Sequence, residues 1–356
     1  MAGLNVAMIN GIRPMQGSGD GITEYAYRMY LQLMKMHNNV ELVYSIGRAK
    51  KNDAIGLLKV NSTLNRRAMD AAKMPYDIFH IVNQEVGFAA RGIKSVNRHS
   101  KVVTTIHDIS RFEKGLHRGL LQKAYNSMVK ASITAAIKHS DYLMFDSQQT
   151  MDDVKRRFGF DNGSVVNIGI EDIFRAGKLR TKKGKFIVGY VGSFAYHKNV
   201  IMLLRAAKCV ARQDVHFQVY GVGNEEKNLA GYKKQNRIGN LELMGFAGED
   251  RKVGIYDKFS VFVFPSMYEG FGLPILEAQA RGLPVVIYKH GRISAEIRKY
   301  CFEAKDEYDM ARIIIGLKDR GYDQRRRKAA MAYARSFTWE KCAKETLKAY
   351  NKILNA

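Results

Sequence analysis

Two carboxylates carry the strongest chemical signal in this chain. Seven residues separate Glu269 from Glu277, and Gly270, Phe271 and Gly272 follow the first of them directly. The apolar run at residues 259–264 reads as a buried strand ending at Pro265. Pro274 suits the first position of a helix, and Gly282 suits a left-handed cap after it. Strand, glycine loop and helix start together make an anion site, because free N–H groups and the positive end of the helix dipole converge there. Carboxylates at such a place would repel a phosphate, so they are better read as acceptors for sugar hydroxyls. Alone, Glu277 in a first turn would stabilise any helix, and Glu269 would be a solvated loop acid. The spacing around Gly-Phe-Gly tips both toward a ligand.

Three further groups stand where an open α/β sheet binds ligands. His107, paired in sequence with Asp108, closes an apolar run at residues 102–106. A lone histidine at such a place is more often a satisfied structural residue, and Asp108 reads as a support for the loop or for the imidazole orientation. Lys198, preceded by His197, sits between a strand at 186–191 and a helix from about 200, a junction suited to a diphosphate. Near the N-terminus a strand at 4–10 leads through Gly17, Gly19 and Gly21 into a helical pattern at 22–36. That spacing is not the dinucleotide fingerprint, and on its own it marks no more than a turn.

Repetition of the strand–loop–helix unit through 356 residues points to two α/β domains. Lysine and arginine number 58 against 34 acids, a net charge of +24, which calls for a polyanionic partner: nucleic acid, an anionic membrane surface or phosphorylated substrates. Residues 91–130 hold nine of these cations against Asp108 and Glu113, interleaved with Phe112, Leu116, Leu120, Leu121 and Tyr125. This stretch reads either as a basic amphipathic membrane-surface helix or as a core helix with a solvated basic face. Cys209, Cys301 and Cys342 are scattered, without metal-site or disulfide spacing, and no apolar run reaches the length of a membrane span. A cytoplasmic location follows as an expectation, with peripheral attachment at the inner face of the membrane. The basic run at 177–185 reads as a linker.

The segment Ser-Met-Tyr-Glu269-Gly-Phe-Gly-Leu-Pro-Ile-Leu-Glu277-Ala resembles the paired-glutamate signature of family 4 of the glycosyltransferases, retaining enzymes of the GT-B fold. The resemblance implies two Rossmann-like domains facing a central cleft, with a C-terminal helix, here opening at Trp339, that crosses back to the N-terminal domain. Residues 1–170 with 336–356 would bind the acceptor, and 173–335 the nucleotide sugar. The implied reaction moves a hexose from a UDP- or GDP-sugar to an acceptor hydroxyl with retained configuration, using neither metal nor cofactor. By the same resemblance Glu269 holds a donor hydroxyl and Glu277 the ribose. The N–H groups of Gly270, Phe271 and Gly272 lie near the sugar, and Leu273 near the phosphate. Lys198 clamps the diphosphate together with His197 or an arginine, Gly21 lies beside it, Gly245 and Phe246 flank the base, and His107 contacts the donor sugar and the acceptor side.

Two departures stand out. Ser193 occupies a place where the family often has the second diphosphate cation, and Ser-Ala-Glu296 replaces a Pro-Glu turn. The basic stretch favours a lipid-linked or membrane-surface glycan as acceptor. Rival readings are glucosylation of nucleic acid bases, sugar-nucleotide epimerisation, and nucleotide-sugar binding without catalysis.

Overall fold

The computed structural model describes residues 3–13, 21–45, 54–113, 115, 120–176 and 184–355, with the side chains of 120–122 outside it. Gly17, Gly19, Leu116 and most of the basic run at 177–185 lie outside the described residues. The chain divides into one unit of Met1–Gly169 with Trp339–Ala356 and a second of Ile170–Thr338.

The first unit is built on six parallel strands: β1 (Asn5–Asn10), β2 (Asn39–Tyr44), β3 (Ile78–Ile81), β4 (Val102–Ile106), β5 (Tyr142–Phe145) and β6 (Gly163–Val165). They lie in the order β2-β1-β3-β4-β5-β6. Strands β3, β4 and β5 are buried at every position, as expected of parallel strands covered by helices on both faces. One helix, Gln148–Phe158, shows how local sequence sets its ends: Ser147 Oγ accepts from the Thr150 N–H, and Gly159 closes it at φ 66°. A side-chain cap of this kind is worth ~1 kcal/mol.

The structure corrects one expectation in this unit: residues 91–130 are not one amphipathic helix. They span the end of the helix Phe88–Val96, all of β4, and the start of the helix Leu120–His139. Tyr125 and Val129 of that helix are buried with Ile106, Ile133, Ile137 and Phe145, while Phe112 packs against this cluster and edge-on against Phe158. Tyr125 and Val129 therefore fill the interior, since burial there removes them from water without any membrane, while Val96 stays exposed.

The second unit also has six parallel strands: β7 (Phe186–Val191), β8 (Val215–Tyr220), β9 (Leu241–Gly245), β10 (Val261–Phe264), β11 (Val285–Tyr288) and β12 (Phe302–Ala304). Their order is β12-β11-β10-β7-β8-β9, so the winding reverses between β7 and β10. Loops leaving adjacent strands at such a reversal diverge to opposite faces and open a crevice at the carboxyl ends. The helix Asp172–Arg175 already belongs here: Phe174 is buried, and its ring meets Tyr256 edge-on at 5.6 Å. Among the described residues no helix is long and apolar enough to cross a membrane, and the three cysteines are free.

Candidate functional site

The loops after β7 and β10 leave the reversal point side by side, and backbone hydrogen bonds tie them together. The Met267 N–H donates to the His197 carbonyl at 2.8 Å. A third loop, after β11, joins them: Arg292 N–H donates to the Met267 carbonyl and Glu269 N–H to the Arg292 carbonyl, both at 2.9 Å. Glycine is required for this approach, since a Cβ on Gly291 would stand 2.2 Å from the Ser266 carbonyl oxygen. Side chains at 197, 267, 269 and 292 are thus carried on one main-chain frame.

On this frame Lys198 Nζ and Glu269 Oε1 form an ion pair at 2.6 Å. The lysine side chain keeps 18% of its surface accessible and the glutamate 9%. The ammonium also lies 5.5 Å from the centre of the Phe264 ring, an attractive placement for a cation. An ammonium has three donors, so the bond to Glu269 leaves two of them for other acceptors. Asn199, at φ 52°, turns the chain into the helix Val200–Cys209 and donates through Nδ2 to the Pro265 carbonyl at 3.2 Å. The position of Ser193 supplies no cation: its carbonyl accepts from the Tyr190 hydroxyl. Arg292 is the cation that the main-chain frame brings next to Glu269, and it stacks over Tyr268 at 5.4 Å.

Gly272 caps the helix Leu273–Ala280 in a left-handed conformation, φ 100°, which a side chain would strain. Leu273 is the first helical residue and Pro274, which has no N–H, the second, while the Ile275 N–H donates to the Gly272 carbonyl at 3.0 Å. Phe271 is buried and its ring meets Phe337 at 6.0 Å, so only its backbone is available to a ligand. Glu277 sits in the second turn, not the first, because the helix begins at Leu273. It is buried, and its Oε2 accepts from the Tyr256 hydroxyl at 2.7 Å. Burial pushes its carboxyl above the ordinary range, against the pull of Lys252 and of the Tyr256 bond. Gly245 ends β9 at φ 72°, and Phe246 after it is exposed.

His107 and Gly21 belong to the first unit. Gly21 starts the helix Gly21–Lys35 with open space where a Cβ would be. His107 is buried one residue past β4, with Nδ1 2.6 Å from Asp146 Oδ2 and Nε2 2.9 Å from the Val82 carbonyl oxygen. Asp108 does not orient the ring. Its Oδ1 accepts from the Ser110 N–H, which holds the loop, and Asp146 takes the orienting place. Burial disfavours charge on His107, but Asp146 and the Val82 carbonyl outweigh it and raise its pKa.

Reasoning from sequence alone passed over Tyr256, Asp146 and Arg292. Asp146 had a signal: Ile106 and Phe145 are register partners, so the next residues of β4 and β5, His107 and Asp146, become neighbours.

Residues 172–337 match the family model described as Glycosyl transferases group 1. Among curated proteins, O-antigen chain mannosyltransferase B of Escherichia coli is 28% identical over 173 residues, 46% of this chain and 45% of that protein. The matched stretch thus spans about half the length of the first curated relatives. Among solved structures, sucrose-phosphate synthase from Thermosynechococcus elongatus superposes with a TM-score of 0.77 at 17% identity, over 98% of this chain and 99% of that one. Anabaena Alr3699/HepE, solved in complex with UDP and glucose, gives 0.69 at 14% identity, over 98% and 100%.

Proposed function

We propose that this chain, a glycosyltransferase of the glycosyl transferases group 1, moves a hexose from a UDP- or GDP-sugar to an acceptor hydroxyl with retained configuration. One observation carries the reading: at the strand-order reversal of the second unit, a lysine with donors to spare is paired with a buried carboxylate, ahead of a glycine-capped helix N-terminus. The two chemistries that a sugar diphosphate needs, cations for phosphate and acids for hydroxyls, thus stand within hydrogen-bond distance of each other.

In this reading Lys198 and the Leu273 N–H at the start of the helix Leu273–Ala280 stabilise the diphosphate as it leaves, an electrostatic contribution that is large in such sites. His197 and Arg292 are carried on the same frame and extend the positive lining. Glu269 accepts from a hydroxyl of the sugar once the ligand draws Lys198 toward phosphate. Glu277 keeps one oxygen for Tyr256 and offers the other to the ribose diol. Backbone N–H groups of Gly270, Phe271, Gly272 and Leu273 line the sugar–phosphate junction, and Gly245 and Phe246 flank the base. Retention then follows from front-face attack, with a phosphate oxygen taking the acceptor proton. The UDP and glucose held by the Anabaena protein support a nucleotide-sugar donor by likeness of fold.

The proposed acceptor is a lipid-linked or membrane-surface glycan, supported by the net charge of +24 and no longer by an amphipathic face. A screen of nucleotide sugars by thermal shift identifies the donor. Calorimetry on Glu277→Ala then tests the site: the dissociation constant for that donor is expected to rise at least tenfold, and unchanged binding would remove Glu277 from it. Sedimentation with anionic vesicles tests the acceptor surface, where binding that ignores lipid charge would count against it.

A further inference from the structure

His107 has both ring nitrogens committed inside the first unit. Nδ1 faces a carboxylate oxygen of Asp146 at 2.6 Å, and Nε2 faces the Val82 carbonyl oxygen at 2.9 Å. A carbonyl only accepts, so Nε2 must carry a proton. The remaining proton lies between Nδ1 and Asp146 and decides whether the ring is charged. The short contact is that of a charge-assisted bond. Asp108 adds a second negative charge near the ring. The other Asp146 oxygen, Oδ1, is buried and has no hydrogen-bond partner among the described residues, so the charge of this carboxylate is balanced chiefly by the imidazole. Burial pushes the Asp146 carboxyl above its ordinary range, and the charge and hydrogen bond of His107 pull it back; ionised and without that cation it would be far too costly.

The groups that face this pair come from every neighbouring element. Tyr25 of the helix Gly21–Lys35 meets the His107 ring edge-on at 4.8 Å. Cys342 of the helix Trp339–Leu354 lies within electrostatic reach of Asp146, and its thiol is pushed up by burial. His80 of β3 donates to or accepts from Thr105 Oγ1 at 2.7 Å and bonds the Tyr350 hydroxyl at 2.6 Å. Burial and the charge of His107 push His80 down to about 3, so it is neutral and adds no positive charge of its own. His107 is then the single site of positive charge among these groups.

We propose that Asp146 is a positioning residue that holds His107 as an imidazolium, so that the ring acts on a ligand through its positive charge and never as a proton acceptor. The consequence for turnover rests on the glycosyl-transfer reading; the charge state itself does not. It excludes His107 as the base that activates the acceptor.

The test is nuclear magnetic resonance of the full chain labelled with 15N-histidine at about pH 8, where an unperturbed imidazole is neutral. His107→Gln identifies the signals of this ring. Two protonated ring nitrogens in the wild type support the proposal, and one protonated nitrogen at that pH overturns it. Asp146→Asn should convert the ring to the singly protonated form. Its kcat/KM should then fall about tenfold as pH rises through the ordinary histidine range, while the wild type stays level there. A ring still doubly protonated in Asp146→Asn would also overturn the role of Asp146. Should that variant not fold, the wild-type spectrum decides alone. Absence of turnover with every nucleotide sugar would sink the functional reading without touching the spectrum.

Discussion

Each unit carries a cation–carboxylate pair at 2.6 Å just past the ends of its central parallel strands, and the two pairs are built to opposite purposes. In the first unit, His107 and Asp146 are both buried, and the imidazole is bound at both nitrogens. In the second, Lys198 retains accessible surface and unused donors beside Glu269. Sheet order explains part of the contrast. In the second unit the loops after β7 and β10 flank the reversal of winding, whereas in the first the reversal lies between β1 and β3 and His107 follows β4, one strand further along. A pair at the reversal can be opened by a ligand. One beside it, walled by Tyr25 and the helix Trp339–Leu354, is held as part of the unit's frame.

Breaking each pair should therefore show in different measurements. Asp146→Ala removes the partner of His107 Nδ1, so the ring falls to its neutral form with a buried nitrogen unpaired, and it is expected to destabilise the first unit by ~1–3 kcal/mol, read by urea unfolding. A loss under 1 kcal/mol would make the two pairs alike. Lys198→Ala should cost less stability than Asp146→Ala, because the lysine end of the pair reaches solvent, while lowering kcat by ~100- to 1,000-fold. A stability loss as large as that of Asp146→Ala would show that this lysine too belongs to the frame.

The pH dependence sharpens the contrast on the first unit's side. His107 is raised in the folded state, so its contribution is full below the ordinary histidine value of about 6.5 and is lost as pH rises through its folded value. His80 is depressed to about 3, so its contribution is full above 6.5 and is lost as pH falls toward about 3. Urea unfolding across this range should lose the alkaline limb in His107→Gln and the acid limb in His80→Gln. Curves parallel to the wild type in both variants would contradict the assignments. The smallest effect is expected at Tyr256→Phe. Loss of one hydrogen bond to Glu277 should weaken donor binding by ~1 kcal/mol, about fivefold, in calorimetry.

How far the sequence spoke for itself differs between the two pairs. The loop at residues 265–272 and the helix after it were legible because strand, glycines, proline and cap follow one another along the chain, so local rules suffice. The partners of the site were not. Tyr256 reaches Glu277 from the preceding helix, 21 positions away, and Asp146 reaches His107 across 39. Such contacts depend on strand order, which local periodicity does not contain. Once β4 and β5 are known to be neighbours, the pairing of the residues just past their ends follows. The stretch at 91–130 misled for a related reason: its apolar residues have the composition of a surface-seeking helix, but Tyr125 and Val129 face the sheet. Composition gives the amount of apolar surface and leaves open what covers it.

The main-chain bonds joining residues 197, 267, 269 and 292 have a consequence for how this protein could be altered. Since the three segments are laced through peptide groups, side chains at 197 and 292 can be exchanged without breaking those bonds, whereas the close pass at Gly291 resists replacement. The architecture separates a main-chain skeleton from replaceable fingers. Libraries varied at those two positions, with Gly291 kept, are the natural place to look for changed sugar or nucleotide preference.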